Sequence, residues 1–129
     1  TAKKSLQQWG WLDQNTGDSV APGLTISSFH IEQLERSIAL MPNIAHGWLL
    51  QKIDKASLKA AVDLGLSGIY PNAGKVTQKQ ITDANAAGLV VRTWGIGDSK
   101  PALRRAYRSG AVGTTADWPS IARDVIDAL

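Results

Sequence analysis

Hydrophobic positions along the chain alternate between short apolar runs and residues spaced three and four apart, the periods of strands and of helices. Leu24-Thr25-Ile26-Ser27-Ser28-Phe29 is a β-favouring run behind Gly23. After it Ile31, Leu34, Ile38 and Leu40 to Met41 recur at helical spacing until Pro42 stops them. Ala45 to Leu50 predicts a second strand and Ser57 to Leu64 a second helix, which Gly65 closes as a C-terminal cap. Ser67 to Pro71 predicts a strand, and Thr77 to Ala87 a helix with Thr77 as its N-cap and Gly88 past its end. Leu89 to Ile96 is the strongest strand pattern. A helix over Lys100 to Ser109, a strand over Ala111 to Thr115 and, past Pro119, a closing helix over Ser120 to Leu129 complete the series. Ahead of it, Ala2 to Leu12 places Leu6, Trp9 and Leu12 at helical spacing, with Asn15-Thr16-Gly17-Asp18 as a loop.

The strands start roughly every 20 to 23 residues, and short Gly-containing turns lead from helix to strand, as in repeated βαβ crossovers that build a parallel sheet. We therefore expect an α/β fold in one domain over residues 1–129: a leading helix and loop over 1–23, then five strand-helix units over 24–129. Two architectures satisfy this pattern. One is a doubly wound, flavodoxin-like sheet; the other is a run of consecutive units from an eight-unit barrel. Periodicity does not choose between them.

Composition narrows the class of partner. The 129 residues are 43% hydrophobic, enough for one core, and the formal charge of +3 is spread over many segments, so no nucleic-acid partner is called for. No apolar stretch approaches the roughly 20 residues that span a bilayer. The absence of cysteine removes disulfides and thiolate metal sites and leaves the compartment open.

Three motifs, taken in order, decide the architecture. They are Ile26-Ser27-Ser28-Phe29 with its following helix and Pro42, then Ala87-Gly88-Leu89-Val90-Val91-Arg92-Thr93-Trp94, then Gly110-Ala111-Val112-Gly113-Thr114-Thr115-Ala116-Asp117-Trp118-Pro119. Their order resembles the C-terminal part of the glycerophosphodiester phosphodiesterase family over nearly the whole chain after Gly23. The resemblance implies a partial (β/α) TIM barrel of about five consecutive units. Two departures fall at strand ends: Gly95-Ile96-Gly97 stands where the family usually has threonine, an apolar residue and asparagine, and Ala116 stands where it usually has threonine.

The resemblance further implies a parent that hydrolyses a glycerophosphodiester to an alcohol and glycerol 3-phosphate, in lipid metabolism, with magnesium or calcium as the divalent ion. The family's catalytic histidines and acidic metal ligands lie upstream of everything visible here, so no residue of this chain is carried over to a catalytic or metal-binding role. We accordingly expect this chain to bind no cofactor by itself and to be inactive alone, with a further N-terminal segment preceding it. Trp94 and Phe29, at the ends of their strands, are the candidate substrate contacts. Trp48 reads instead as an aromatic that faces the helices.

Other residues read more plainly. His30 falls at a helix start and His46 within a strand, both better suited to structural than to catalytic work. Glu32 and Glu35 sit on a helix, not at a strand end. Asp98 and Asp117 are read as caps, turns or a polar rim. Arg104, Arg105 and Arg108 read as a solvated outer face. Gly95-Ile96-Gly97 lacks the further glycine of a nucleotide loop. A partial barrel also leaves two strand edges open, to be covered by the rest of the parent, by a second copy forming a homodimer, or by the helix carrying Trp9 and Trp11. The rival readings are a non-catalytic module binding glycerol or phosphate, and a flavodoxin-like domain.

Overall fold

The computed structural model describes residues 3, 4 and 24–128. Of the expected leading helix, Lys3 and Lys4 are helical; the rest of that helix, its loop, Trp9 and Trp11 lie outside the described residues. From Thr25 onward five strands alternate with five helices: β1 (Thr25–Ser28), α1 (Ile31–Leu40), β2 (Ala45–Leu50), α2 (Lys55–Leu64), β3 (Gly68–Pro71), α3 (Gln78–Ala86), β4 (Val90–Thr93), α4 (Lys100–Arg108), β5 (Gly113–Thr114) and α5 (Pro119–Asp127).

All strand pairs are parallel, and the spatial order β1-β2-β3-β4-β5 is the order of the chain. A flavodoxin-like sheet places its strands 2-1-3-4-5 and reverses direction at a switch point. The order observed has no reversal, which removes that rival. Right-handed crossovers that always advance in one direction set every helix on the same face of the sheet, the arrangement of a barrel wall.

Local chemistry sets the element ends. At the start of α2 the Ser57 amide donates to Asp54 Oδ1 at 2.8 Å while the Asp54 amide donates to Ser57 Oγ at 2.8 Å, so two amides without helical partners are satisfied reciprocally. Thr77 and Gln80 do the same for α3. Gly65 ends α2 at φ 75°, a left-handed conformation that glycine adopts without a Cβ clash. Ser99, not Asp98, caps α4 by accepting from the Ala102 amide. At α5 the N-cap position belongs to Trp118, not Asp117. The last strand is shorter than its apolar pattern, Gly113–Thr114 in place of Ala111–Thr115, and β4 stops at Thr93 because Gly95 at φ 82° and Gly97 at φ 59° turn the chain.

The core fills the space between sheet and helices. Ile69 of β3 and Val91 of β4, neighbours in register, meet Leu34, Ala61, Ile81 and Ala84 of the helices, with Ile53, Leu66 and Leu89 closing the ends. A second cluster, Ile96, Leu103, Ala106 and Val125, packs α4 against α5. Among the described residues no helix is long and apolar enough to cross a membrane.

Candidate functional site

Strand alternation sends Ile69 and Val91 to the helices and so sends Tyr70 and Arg92 to the opposite, inner face. Tyr70 lies flat across its neighbours because two of them are glycines. A Cβ at Gly47 would sit 2.1 Å from the Tyr70 ring, and one at Gly68 would sit 2.7 Å from it. Burial beneath this face pushes the Tyr70 phenol above its ordinary pKa, and the positive charge of Arg92 opposes that rise. Arg92 in turn lies over Gly113, where a Cβ would come within 3.3 Å of its Nε.

Above this layer stands Trp94, at the end of β4. Its indole Nε1 donates to the backbone oxygens of Tyr70 at 2.9 Å and Leu50 at 3.2 Å, so one side chain closes over the ends of β2 and β3. The ring reaches as far as Phe29 beyond β1, and the two aromatics meet edge to face with centroids 5.1 Å apart and planes at 89°. The two candidate substrate contacts, distant in the chain, are thus brought together at the C-terminal ends of the strands, with Phe29 still 51% exposed. Trp48 fastens this corner from the helix side, donating from Nε1 to the Phe29 carbonyl oxygen at 3.3 Å while its body packs against the main core.

Asn72 explains one of the sequence departures. Its amide donates to the Leu50 oxygen, its Oδ1 accepts from the Gly74 amide at 2.8 Å, and Ala73 donates to the Trp94 oxygen at 2.8 Å. A Cβ at position 95 would stand 2.8 Å from Asn72 Nδ2 on a backbone already at positive φ, so this turn requires glycine where a threonine would strain it.

A cavity of about 200 Å³ opens on the inner face, lined by Thr25, Ser27, Leu49, Tyr70, Arg92, Thr93, Trp94 and Thr115. It mixes hydroxyls, one guanidinium and aromatic walls. A larger cleft of about 270 Å³ lies between α4, β5 and α5, but apart from Tyr107 and Thr114 its lining is aliphatic and carries no charged group. Sequence reasoning singled out Trp94 and Phe29 and missed Tyr70 and Arg92. The glycines at 47, 68 and 113 were the available signal, legible only once the register was known.

The histidines stand apart from this site. His30 is exposed at the start of α1 and makes no side-chain cap. His46 is 2% exposed and turns toward the helices: its Nδ1–H donates to the Ile44 carbonyl oxygen at 2.7 Å, and Nε2 accepts from the Ser37 hydroxyl at 2.9 Å. Burial lowers the His46 pKa from its ordinary 6.5, more than the Ile44 hydrogen bond raises it. The folded chain therefore binds this proton less readily than the unfolded chain does. Stability is expected to be full above pH 6.5 and to fall as the pH drops below 6.5 toward the lowered folded value. Urea unfolding at intervals between pH 8 and about pH 5, above most of the carboxylate range, measures this; stability that holds level or rises on acidification contradicts it.

Among the described residues no group of three or more histidines and carboxylates is placed to hold a metal ion. Glu32 and Glu35 are exposed on α1, and Asp98 and Asp117 are exposed on two different loops. These four residues do not fit a divalent ion.

Five parallel strands in chain order, helices on one face, and an inner face whose strand ends carry the polar and aromatic groups define an open section of a TIM barrel. No family model matches the sequence, and no curated protein matches it. Solved structures do. A phosphodiesterase of Oleispira antarctica, determined in complex with the product sn-glycerol-3-phosphate, superposes with a TM-score of 0.73 at 27% identity over 81% of this chain and 42% of its own. A glycerophosphodiester phosphodiesterase of Parabacteroides distasonis gives 0.67 at 16% identity over 98% of this chain and 50% of its own. The chain spans about half the length of these structures, and its fold is a section of the glycerophosphodiester phosphodiesterase barrel.

Proposed function

We propose that this chain supplies the C-terminal half of a phosphodiesterase barrel that hydrolyses glycerophosphodiesters of lipid metabolism to an alcohol and glycerol 3-phosphate. Trp94 and Phe29 form one wall of the substrate pocket. The observation that carries the reading is the Trp94–Phe29 pair, held at 5.1 Å over an inner-face cavity at the strand ends, where a barrel keeps its active site. The complex of the Oleispira antarctica neighbour with glycerol 3-phosphate supports the substrate class.

General acid and base, and the carboxylates for a magnesium or calcium ion, belong in this reading to a segment outside the described residues. That segment also pairs with the free edges of β1 and β5, or a second copy does. Within this chain the residues bind and orient: Trp94 presents an apolar face to the glycerol side of the diester, and Phe29 flanks it. That the described residues hold no such donor set also favours a second reading, a module that binds the product without turnover.

The test is release of glycerol 3-phosphate from glycerophosphocholine with magnesium, with calcium and with chelator. The chain alone is expected to release none, and fusion behind the N-terminal half of the Oleispira antarctica barrel is expected to give metal-dependent release. Turnover by the chain alone overturns the division of labour. A folded fusion that binds glycerol 3-phosphate without turnover establishes the binding module instead.

A further inference from the structure

Arg92 is a charged group on a face otherwise built from hydroxyls and aromatics. Among the described residues the ion pairs join Lys59 to Asp63, Lys79 to Asp83 and Lys100 to Asp124, and none reaches Arg92. No carboxylate lines its cavity. Arg92 is exposed in this open section of barrel; once further strands enclose the inner face, a guanidinium there is costly unless an anion joins it. Its surroundings are arranged to keep it accessible: Gly113 leaves the room in which Nε lies, and the Tyr70 ring, held down by Gly47 and Gly68, flanks it without a counter-charge.

We propose that Arg92 receives the phosphoryl group of a small phosphorylated polyol on this inner face. The planar guanidinium offers paired N–H donors that match two phosphoryl oxygens, which a lysine cannot reproduce. The hydroxyls of Thr25, Ser27, Tyr70 and Thr115 line the same cavity and supply further donors, while Trp94 provides the apolar wall for the carbon chain. At about 200 Å³ the space lies below the roughly 300–1,000 Å³ of drug-sized sites and suits a head group of a few carbons. The inference rests on the function proposed above and adds to it the residue that recognises the phosphate.

Calorimetric titration of the intact chain with sn-glycerol 3-phosphate, inorganic phosphate and glycerol tests it. Glycerol 3-phosphate and phosphate are expected to compete for one site, and glycerol to give no binding. Arg92→Gln is expected to weaken glycerol 3-phosphate binding roughly tenfold to hundredfold at an unchanged unfolding midpoint, with Arg92→Lys between the two. Failure of the unmodified chain to bind, or equal binding by Arg92→Gln, overturns the assignment. So does binding of glycerol as tight as that of its phosphate. In the fused barrel, hydrolysis with an unchanged KM in Arg92→Gln removes Arg92 from substrate recognition and leaves the proposed activity standing; a folded fusion without hydrolysis removes the activity itself.

Discussion

Ile69→Ala is expected to lower the unfolding free energy by about 2–5 kcal/mol, the range for truncating a buried isoleucine to alanine. The upper part of that range applies. Ile69 is 0% exposed at the middle of the central strand, with Trp48 and Val91 beside it in register and helices over it. Trp48 and Val91 cannot move into the vacated space without breaking a strand pairing, so lost contacts add to the lost transfer energy. Urea unfolding followed by circular dichroism gives the value. Val112→Ala serves as the control, because Val112 is 55% exposed and its truncation should fall within about 0.5 kcal/mol of zero. A loss below about 1 kcal/mol at Ile69 would show that the core is not packed as described.

Gly47→Ala should destabilise the chain by about 1–3 kcal/mol, the usual cost of forcing atoms into filled space. Two effects compete. Alanine suits a strand better than glycine by roughly 0.5–1 kcal/mol, and Gly47 is not among the residues with positive φ, so the backbone accepts it. Against this, the added Cβ falls 2.1 Å from the Tyr70 ring, far inside contact distance, and the ring has to leave its bed on Gly47 and Gly68. The clash wins because removing the ring from that bed also uncovers the glycines beneath it. A double-mutant cycle isolates the cause: with Tyr70→Ala present, Gly47→Ala should become neutral or favourable, giving a coupling of about 0.5–3 kcal/mol. Additive losses would mean that ring and glycine do not touch.

Much of the architecture can be read from the sequence because the relevant signals are local. Gly65 and Thr77 announce the ends of α2 and α3 through backbone conformation and reciprocal capping, and neither depends on the rest of the fold. The order of motifs around Phe29 and Trp94 identified the barrel without any contact being known. The inner face was not legible, since its members are fixed by strand parity. A continuous apolar run such as Leu89-Val90-Val91 shows no alternation from which parity can be taken. Arg92 and Tyr70 therefore had no visible direction, and neither did His46, which proves to belong with Ser37 under the helices. The strand β5 was legible but its bounds were not: Ala111 and Val112 continue an apolar pattern before the ladder begins at Gly113. Asp98 was close, one residue ahead of the serine that caps α4.

The sequential order of the strands bears on how such a chain can change over generations. A doubly wound sheet has central strands whose neighbours come from distant parts of the gene, so replacing one segment disturbs pairings made elsewhere. Here, among the described residues, each strand is paired only with the strands next to it in the chain. A whole strand-helix unit can be duplicated, lost or recombined with one from another barrel at the cost of matching at most two registers, while every other pairing keeps the partners it had.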